Sequence, residues 1–291
     1  MPDIKPFIVT GLALGSIYAL SGIGLVVLYR ATAVLNFAYG AIGAIGALVA
    51  WDLIDGGVPE PVAWIGCVAV STALSIGYGV IVAPLLADRD LVTKAVATAG
   101  YTLLLLGFSL WWLPDISRSL SLPTSDHGFR VFGVFVAYTR VIALGLALVV
   151  TVGVTGYLMR TRTGLYMRAM ADDPEQAGML GIRTDRVGAI AWAMSGVLSG
   201  VTGLLIADLI RLEAGAITFL VVPAIAAAII GRLNSLPATL VGGLAIGLAE
   251  SVAAPFDSIS DYRGVAPFLA ALLFLVWQGR HTQIQIFTST R

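Results

Sequence analysis

The run PFIVTGLALGSIYALSGIGLVVLY, residues 6–29, decides the fold class. It carries no charge and is bounded by Lys5 and Arg30. As a helix rising ~1.5 Å per residue it reaches ~36 Å, enough to cross a hydrocarbon core ~30 Å thick. Its residues lack the alternation of barrel strands, and a bilayer cannot satisfy an open strand edge, so a helix is the default. A cleaved leader is a poor fit. The run is too long for one and ends in Leu28-Tyr29-Arg30 rather than at small residues.

The same arrangement recurs outward from this run. Uncharged windows cover 31–51, 61–87, 95–114, 141–159, 187–207, 214–231, 233–249 and 264–279. Nine candidate spans result, with eight to ten as the working range, and the last window is marginal in length. The segment 214–249 is interrupted only by Arg232, which predicts a broken or re-entrant element there. The expected fold is therefore all-α, a polytopic transmembrane helical bundle forming one domain over residues 1–291. With 58% hydrophobic and 12% charged residues and a mean hydropathy of +0.93, the chain has too little charge to cover a soluble surface of its size.

Several function classes lose support at once. A net charge of zero gives no reason to expect a nucleic-acid partner. One cysteine, Cys67, excludes an internal disulfide and a cysteine-rich metal site. His127 and His281 lie far apart, so no metal cluster or nucleophile–base pair is visible and an enzyme is not expected. There is no phosphate loop of the G-x-x-x-x-G-K-[ST] kind, and the only lysines are Lys5 and Lys94.

Basic residues orient the bundle. If 160–186 is cytoplasmic, Arg30, Arg89, Lys94, Arg160, Arg162, Arg168, Arg183, Arg186, Arg232, Arg280 and Arg291 fall inside. Lys5, Arg118, Arg130, Arg140, Arg211 and Arg263 fall outside, an imbalance in the expected direction. The N-terminus is then outside and the C-terminus inside if all nine windows span. Within the spans, the pairs Gly11 and Gly15, Gly196 and Gly200, and Gly243 and Gly247 recur one turn apart, a device for close helix packing.

Residues 160–186 carry the most specific local signal. Asp173 suits an N-cap, Pro174 the first helical position, and Gln176 the position of a capping box. Glu175 suits the positive end of the helix dipole, and Gly181 a stop after Leu180. About two turns result, predicted to carry Ala177 and Leu180 on one face. So short a helix needs a surface to dock on.

This stretch resembles the cytoplasmic loop of the permease subunits of branched-chain amino acid ABC importers, specifically the first of the two paired permeases. The match runs through Arg162, Gly164, Arg168, Ala169, Asp173, Ala177, Leu180, Gly181, Ile182 and Arg186. Gly11–Leu20, Val34–Gly40 and Gly231–Gly243 followed by Glu250 are similar to other blocks of that family. Tyr39 stands where the family has His or Gln. Arg232 and Asn234 stand where glycines are common, and Trp277–Arg280 replaces the usual terminal motif.

The resemblance implies that the loop (Arg162, Gly164, Arg168, Ala169, Asp173, Pro174, Glu175, Ala177, Leu180, Gly181) couples to a separate ATPase. It further implies two ATPase subunits holding ATP and Mg, with no cofactor on this chain. A second homologous permease is expected, as a heterodimer before a homodimer, together with an extracytoplasmic binding protein. The implied location is a bacterial or archaeal cytoplasmic (inner) membrane. The cargo would be branched-chain amino acids, or a related small polar solute such as urea or an amide.

Few polar groups lie in the spans, and those that do are candidates because burying them is costly. Asn36 and Tyr39 fall near the inner start of the second span, Asn234 and Ser235 near that of the late span, and Glu250 towards the outer face. They are candidate pathway or gate residues, with interhelical hydrogen bonding as the plainer reading. The segments around 36–46 and 231–243 are candidates for matched positions of an internal repeat. The competing function is a self-sufficient secondary transporter or channel, for which ionisable groups near the midplane would be needed.

Overall fold

The computed structural model describes residues 4–113, 118–131, 134–210, 212–256, 264–265 and 267–276. Among the described residues, six helices are long and apolar enough to cross a membrane. They are α1 (Lys5–Thr32), α3 (Glu60–Gly77, continued through a π turn and a 3-10 turn to Leu86), α4 (Leu91–Trp112), α5 (Tyr138–Arg160), α8 (Thr184–Leu209) and α11 (Leu236–Ala253). Shorter pieces occupy the remaining windows: α2 (Tyr39–Asp55), the pair α9 (Ala214–Phe219) and α10 (Val221–Ile230), and α12 (Pro267–Val276). Every uncharged window therefore holds helix. Three are shorter than a full span, and the last window runs beyond the described residues. Arg211, Arg263, Arg280 and Arg291 also lie outside them.

The breaks have local causes. In α3 the ladder widens at Tyr78–Val82, where the Ala83 N–H turns to the Tyr78 carbonyl just before Pro84, which has no N–H to give. The predicted interruption near 232 is a turn, Gly231–Ser235, in which Arg232 and Leu233 adopt φ of 55° and 53°. That left-handed backbone is the physical reason glycine suits these positions. A second break, at Leu220 between α9 and α10, precedes Pro223 in the same way.

α1 is the central post, buried over most of its length from Gly11 onward and packed on α5, α8, α10 and α11. The glycine pairs make its seams. Gly11 and Gly15 sit on the backbone of α11, and a Cβ on Gly243 would lie 2.5 Å from Ala19 N. Gly196 and Gly200 of α8 pack on α3 in the same manner: a Cβ on Gly196 would lie 2.8 Å from Thr72 Cα, and one on Gly200 2.9 Å from Val68 Cα. Hydroxyls of α3 bind its neighbours too: Ser75 donates to the Trp192 carbonyl of α8 at 2.6 Å, and Ser71 to the Ile42 carbonyl of α2 at 3.2 Å. By contrast α4 is largely exposed, as a lipid-facing helix would be.

Two ends can be told apart. At one, Arg30 donates to the Asn234 carbonyl at 3.1 Å and shares a cavity with Arg168. At the other, Arg118 lies 4.8 Å from the Trp51 ring centre and Arg140 bonds Thr10 Oγ1 at 3.1 Å. This sorts those arginines as the positive-inside count does. A hairpin of β1 (Gly128–Val131) and β2 (Val134–Ala137), paired antiparallel with Gly128 opposite Ala137, adds a short sheet at the second end, leading into α5.

Candidate functional site

The loop after α5 contains two helices. α6 (Arg162–Asp172) is capped by Thr161, whose Oγ1 accepts from Gly164 N–H at 3.0 Å. Gly164 has to be small, because a Cβ there would come within 2.5 Å of Leu158 Cα at the end of α5. Met167 is buried against the bundle, while Leu165 and Tyr166 are exposed. The sequence reading found only the second helix and missed α6, although Thr161 was an available N-cap signal.

α7 (Pro174–Met179) follows. Asp173 Oδ1 accepts from Gln176 N–H at 2.9 Å, the N-cap bond expected from the sequence, and Pro174 and Glu175 take the first two helical positions. Gly181 has φ 82° and closes the helix, with Ile182 N–H returning to the Ala177 carbonyl at 3.1 Å. One expectation needs correcting. Ala177 is buried (2% exposed), but Leu180 is 82% exposed, and so is Met179 at 83%. Leu180 N–H still bonds the Gln176 carbonyl at 3.0 Å, so the helical spacing reaches it, but at the end of α7 the bundle no longer covers its side chain. The loop thus presents Met179 and Leu180 outward, and Met179 was not among the expected residues. Arg162 is exposed, Arg168 and Ala169 are half-buried.

The five intramembrane candidates are not gathered into one site. Asn36 belongs to a non-helical approach to α2 and Tyr39 is the first residue of α2; both lie inside the bundle, deeper than a span starting after Arg30 would place them. Ala33 (φ 52°) turns the chain out of α1. The free backbone groups are then satisfied by side chains, as a membrane interior demands. Asn36 Oδ1 accepts from Ala38 N–H at 3.0 Å, and Thr98 Oγ1 of α4 accepts from Phe37 N–H at 3.2 Å and lies 2.9 Å from the Leu35 carbonyl. Asn36 Nδ2 and the Tyr39 hydroxyl are buried without a hydrogen-bond partner. Tyr39 lines a cavity of about 10 Å³ with Ser21, Ser199 and Thr202, room for about one water.

Asn234 and Ser235 instead line a cavity of about 270 Å³ at the end that carries Arg30 and Arg168. Ser235 caps α11, accepting from Ala238 N–H at 3.3 Å. Glu250, ~22 Å along α11 from Ser235, accepts from the Tyr18 hydroxyl at 2.9 Å. That bond pairs α11 with α1. Among the described residues there is no group of His, Cys, Asp and Glu that could hold a metal ion.

The family described as branched-chain amino acid transport system / permease component matches residues 7–277. The chain is 28% identical to the high-affinity branched-chain amino acid transport system permease protein BraD of Pseudomonas aeruginosa, over 96% of each chain. It is also 28% identical to the corresponding protein LivH of Escherichia coli, over 91% of this chain and 90% of that one. A probable branched-chain amino acid transport permease protein LivH of Methanocaldococcus jannaschii is 27% identical over 81% of this chain and 77% of its own.

Proposed function

The chain belongs to the branched-chain amino acid transport permease family, and from that premise we propose that it forms half of the translocation pathway of a binding-protein-dependent ABC importer. It is a multi-pass membrane protein and a transport component. Its place is the cytoplasmic membrane of a bacterium or archaeon. The cargo is a branched-chain amino acid or a chemically similar small solute. ATP hydrolysis takes place on two separate subunits that bind ATP and Mg, a second permease completes the pathway, and a binding protein delivers the solute from outside.

One observation supports this reading above the rest. The α6–α7 loop turns large apolar side chains, Met179 and Leu180, away from the bundle that it packs on. A soluble-facing segment gains nothing from two exposed aliphatic residues at a helix end unless a partner covers them. α7 is too short to be stable alone, which suits a knob held in another subunit's groove. On this reading Arg162, Gly164, Arg168, Ala169, Asp173, Pro174, Glu175, Ala177, Leu180 and Gly181 are the coupling segment. Asn36, Tyr39, Asn234, Ser235 and Glu250 then act on helix pairing and gating rather than on ion coupling.

The test is co-purification with the candidate ATPases. Met179→Glu and Leu180→Glu are expected to lower recovery of the ATPase and solute-stimulated hydrolysis at least tenfold, while Arg89→Gln leaves both intact. Full coupling in the Met179→Glu, Leu180→Glu double variant would overturn the docking role. Solute uptake by this chain alone in liposomes, driven by an ion gradient, would overturn the importer assignment itself.

A further inference from the structure

The cavity of about 270 Å³ between α1, α5, α6 and α11 has an unusual lining for a membrane protein. Arg30 and Arg168 both reach it, with Thr155, Asn234 and Ser235, and among the described residues no carboxylate lines it. Arg30 is oriented by its bond to the Asn234 carbonyl. Two polar atoms in this lining, Arg168 Nε and Thr155 Oγ1, are shielded from solvent and have no hydrogen-bond partner. Buried donors left unmade are costly, and in native proteins they commonly mark a water, ion or ligand. The cavity also faces the first turn of α11 at Ser235, where the helix dipole favours negative charge.

We propose that this cavity is a binding site for a phosphate-type anion, taken by Arg168, Thr155 and Arg30. Guanidinium groups match phosphate oxygens in geometry and charge, and a hydroxyl completes the oxygen's shell. A 270 Å³ space accommodates a phosphodiester headgroup more readily than a lone water. Its position at the arginine-bearing end of the bundle puts it at headgroup depth, where anionic lipids attract basic residues. The ligand would tie α6 to α1 and α11, because Arg168 belongs to the loop while Arg30 and Ser235 belong to the bundle. The site does not depend on the loop docking an ATPase.

The full chain is placed in nanodiscs of phosphatidylcholine, with or without phosphatidylglycerol, and in phosphatidylcholine discs with inorganic phosphate. Lipid adducts are counted by native mass spectrometry, and amide exchange is followed over residues 162–171. Phosphatidylglycerol is expected to be retained and to slow exchange in α6. Arg168→Gln should weaken this about tenfold, the worth of one charge-assisted hydrogen bond. Arg89→Gln, on an exposed loop residue, should not. Thr155→Val, close to isosteric, decides the matter if Arg168→Gln does not fold. Protection by inorganic phosphate alone, lost in the same variants, identifies a free anion as the ligand. Equal retention in Arg168→Gln or Thr155→Val and wild type, or no response to either probe, overturns the proposal.

Discussion

Replacing Gly243 with alanine tests the seam on which the bundle is built. The new Cβ would lie 2.5 Å from Ala19 N and 2.6 Å from Ala19 Cα, both backbone atoms of α1. Carbon contacts are comfortable at ~3.5–4.0 Å, so the helices would have to part by ~1 Å. A gap of that size forfeits about a quarter to a half of each dispersion contact along the seam. Overpacking of this kind costs about 1–3 kcal/mol, and alanine's better helix propensity returns ~1 kcal/mol. The net expectation is a loss of about 1 kcal/mol, at the centre of a range of about 0–2, read as a fall in Tm of about 2–4 °C in detergent. Gly153→Ala in α5 is the control, because beyond its own helix backbone and chain neighbours no atom lies within 4 Å of where the new Cβ would stand, and it should leave Tm unchanged or raise it. If Gly243→Ala melts at or above wild type, as is expected of Gly153→Ala, close backbone approach is not what holds α1 to α11.

Two further outcomes follow from local bonds. Thr98→Val keeps the shape of a fully buried side chain but leaves the Phe37 N–H unsatisfied, so stability should fall by about 1–3 kcal/mol, measured by thermal unfolding. A Thr98→Ser variant should recover most of it. At the start of α4, Asp90 caps through Thr93, whose hydroxyl and N–H hold its carboxyl below the ordinary 3.8. Its folded pKa is therefore the lower one. The cap contributes fully above the unfolded value and is lost as pH falls through the folded value, so amide exchange at Thr93 should accelerate only there. Acceleration already setting in above the ordinary value would refute the assignment.

The membrane-spanning fold was legible because it rests on composition over long windows. Uncharged runs such as 6–29 must leave water, and once in a bilayer the backbone must pair within itself, so helices follow without any knowledge of neighbours. Local punctuation was equally legible. Asp173, Gln176 and Gly181 act within a few residues of one another, and the N-cap bond and the left-handed stop both form. The glycine pairs told which faces would pack, since a missing Cβ matters only at close approach.

What only the tertiary structure decided lies between elements distant in the chain. The sequence could not say that Thr98 of α4 satisfies the backbone beside Asn36, or that Tyr18 would meet Glu250 across 232 positions. It could not say that Arg30, Thr155, Arg168 and Ser235 close around one cavity while Tyr39 faces another. Nor could periodicity place Leu180 outside, because spacing gives the face of a helix and not how far along it the neighbouring bundle reaches. Chain-local forces fix which segments are helical and where they stop. Which side chains share a site depends on how helices cross, and that is set by packing among all of them at once.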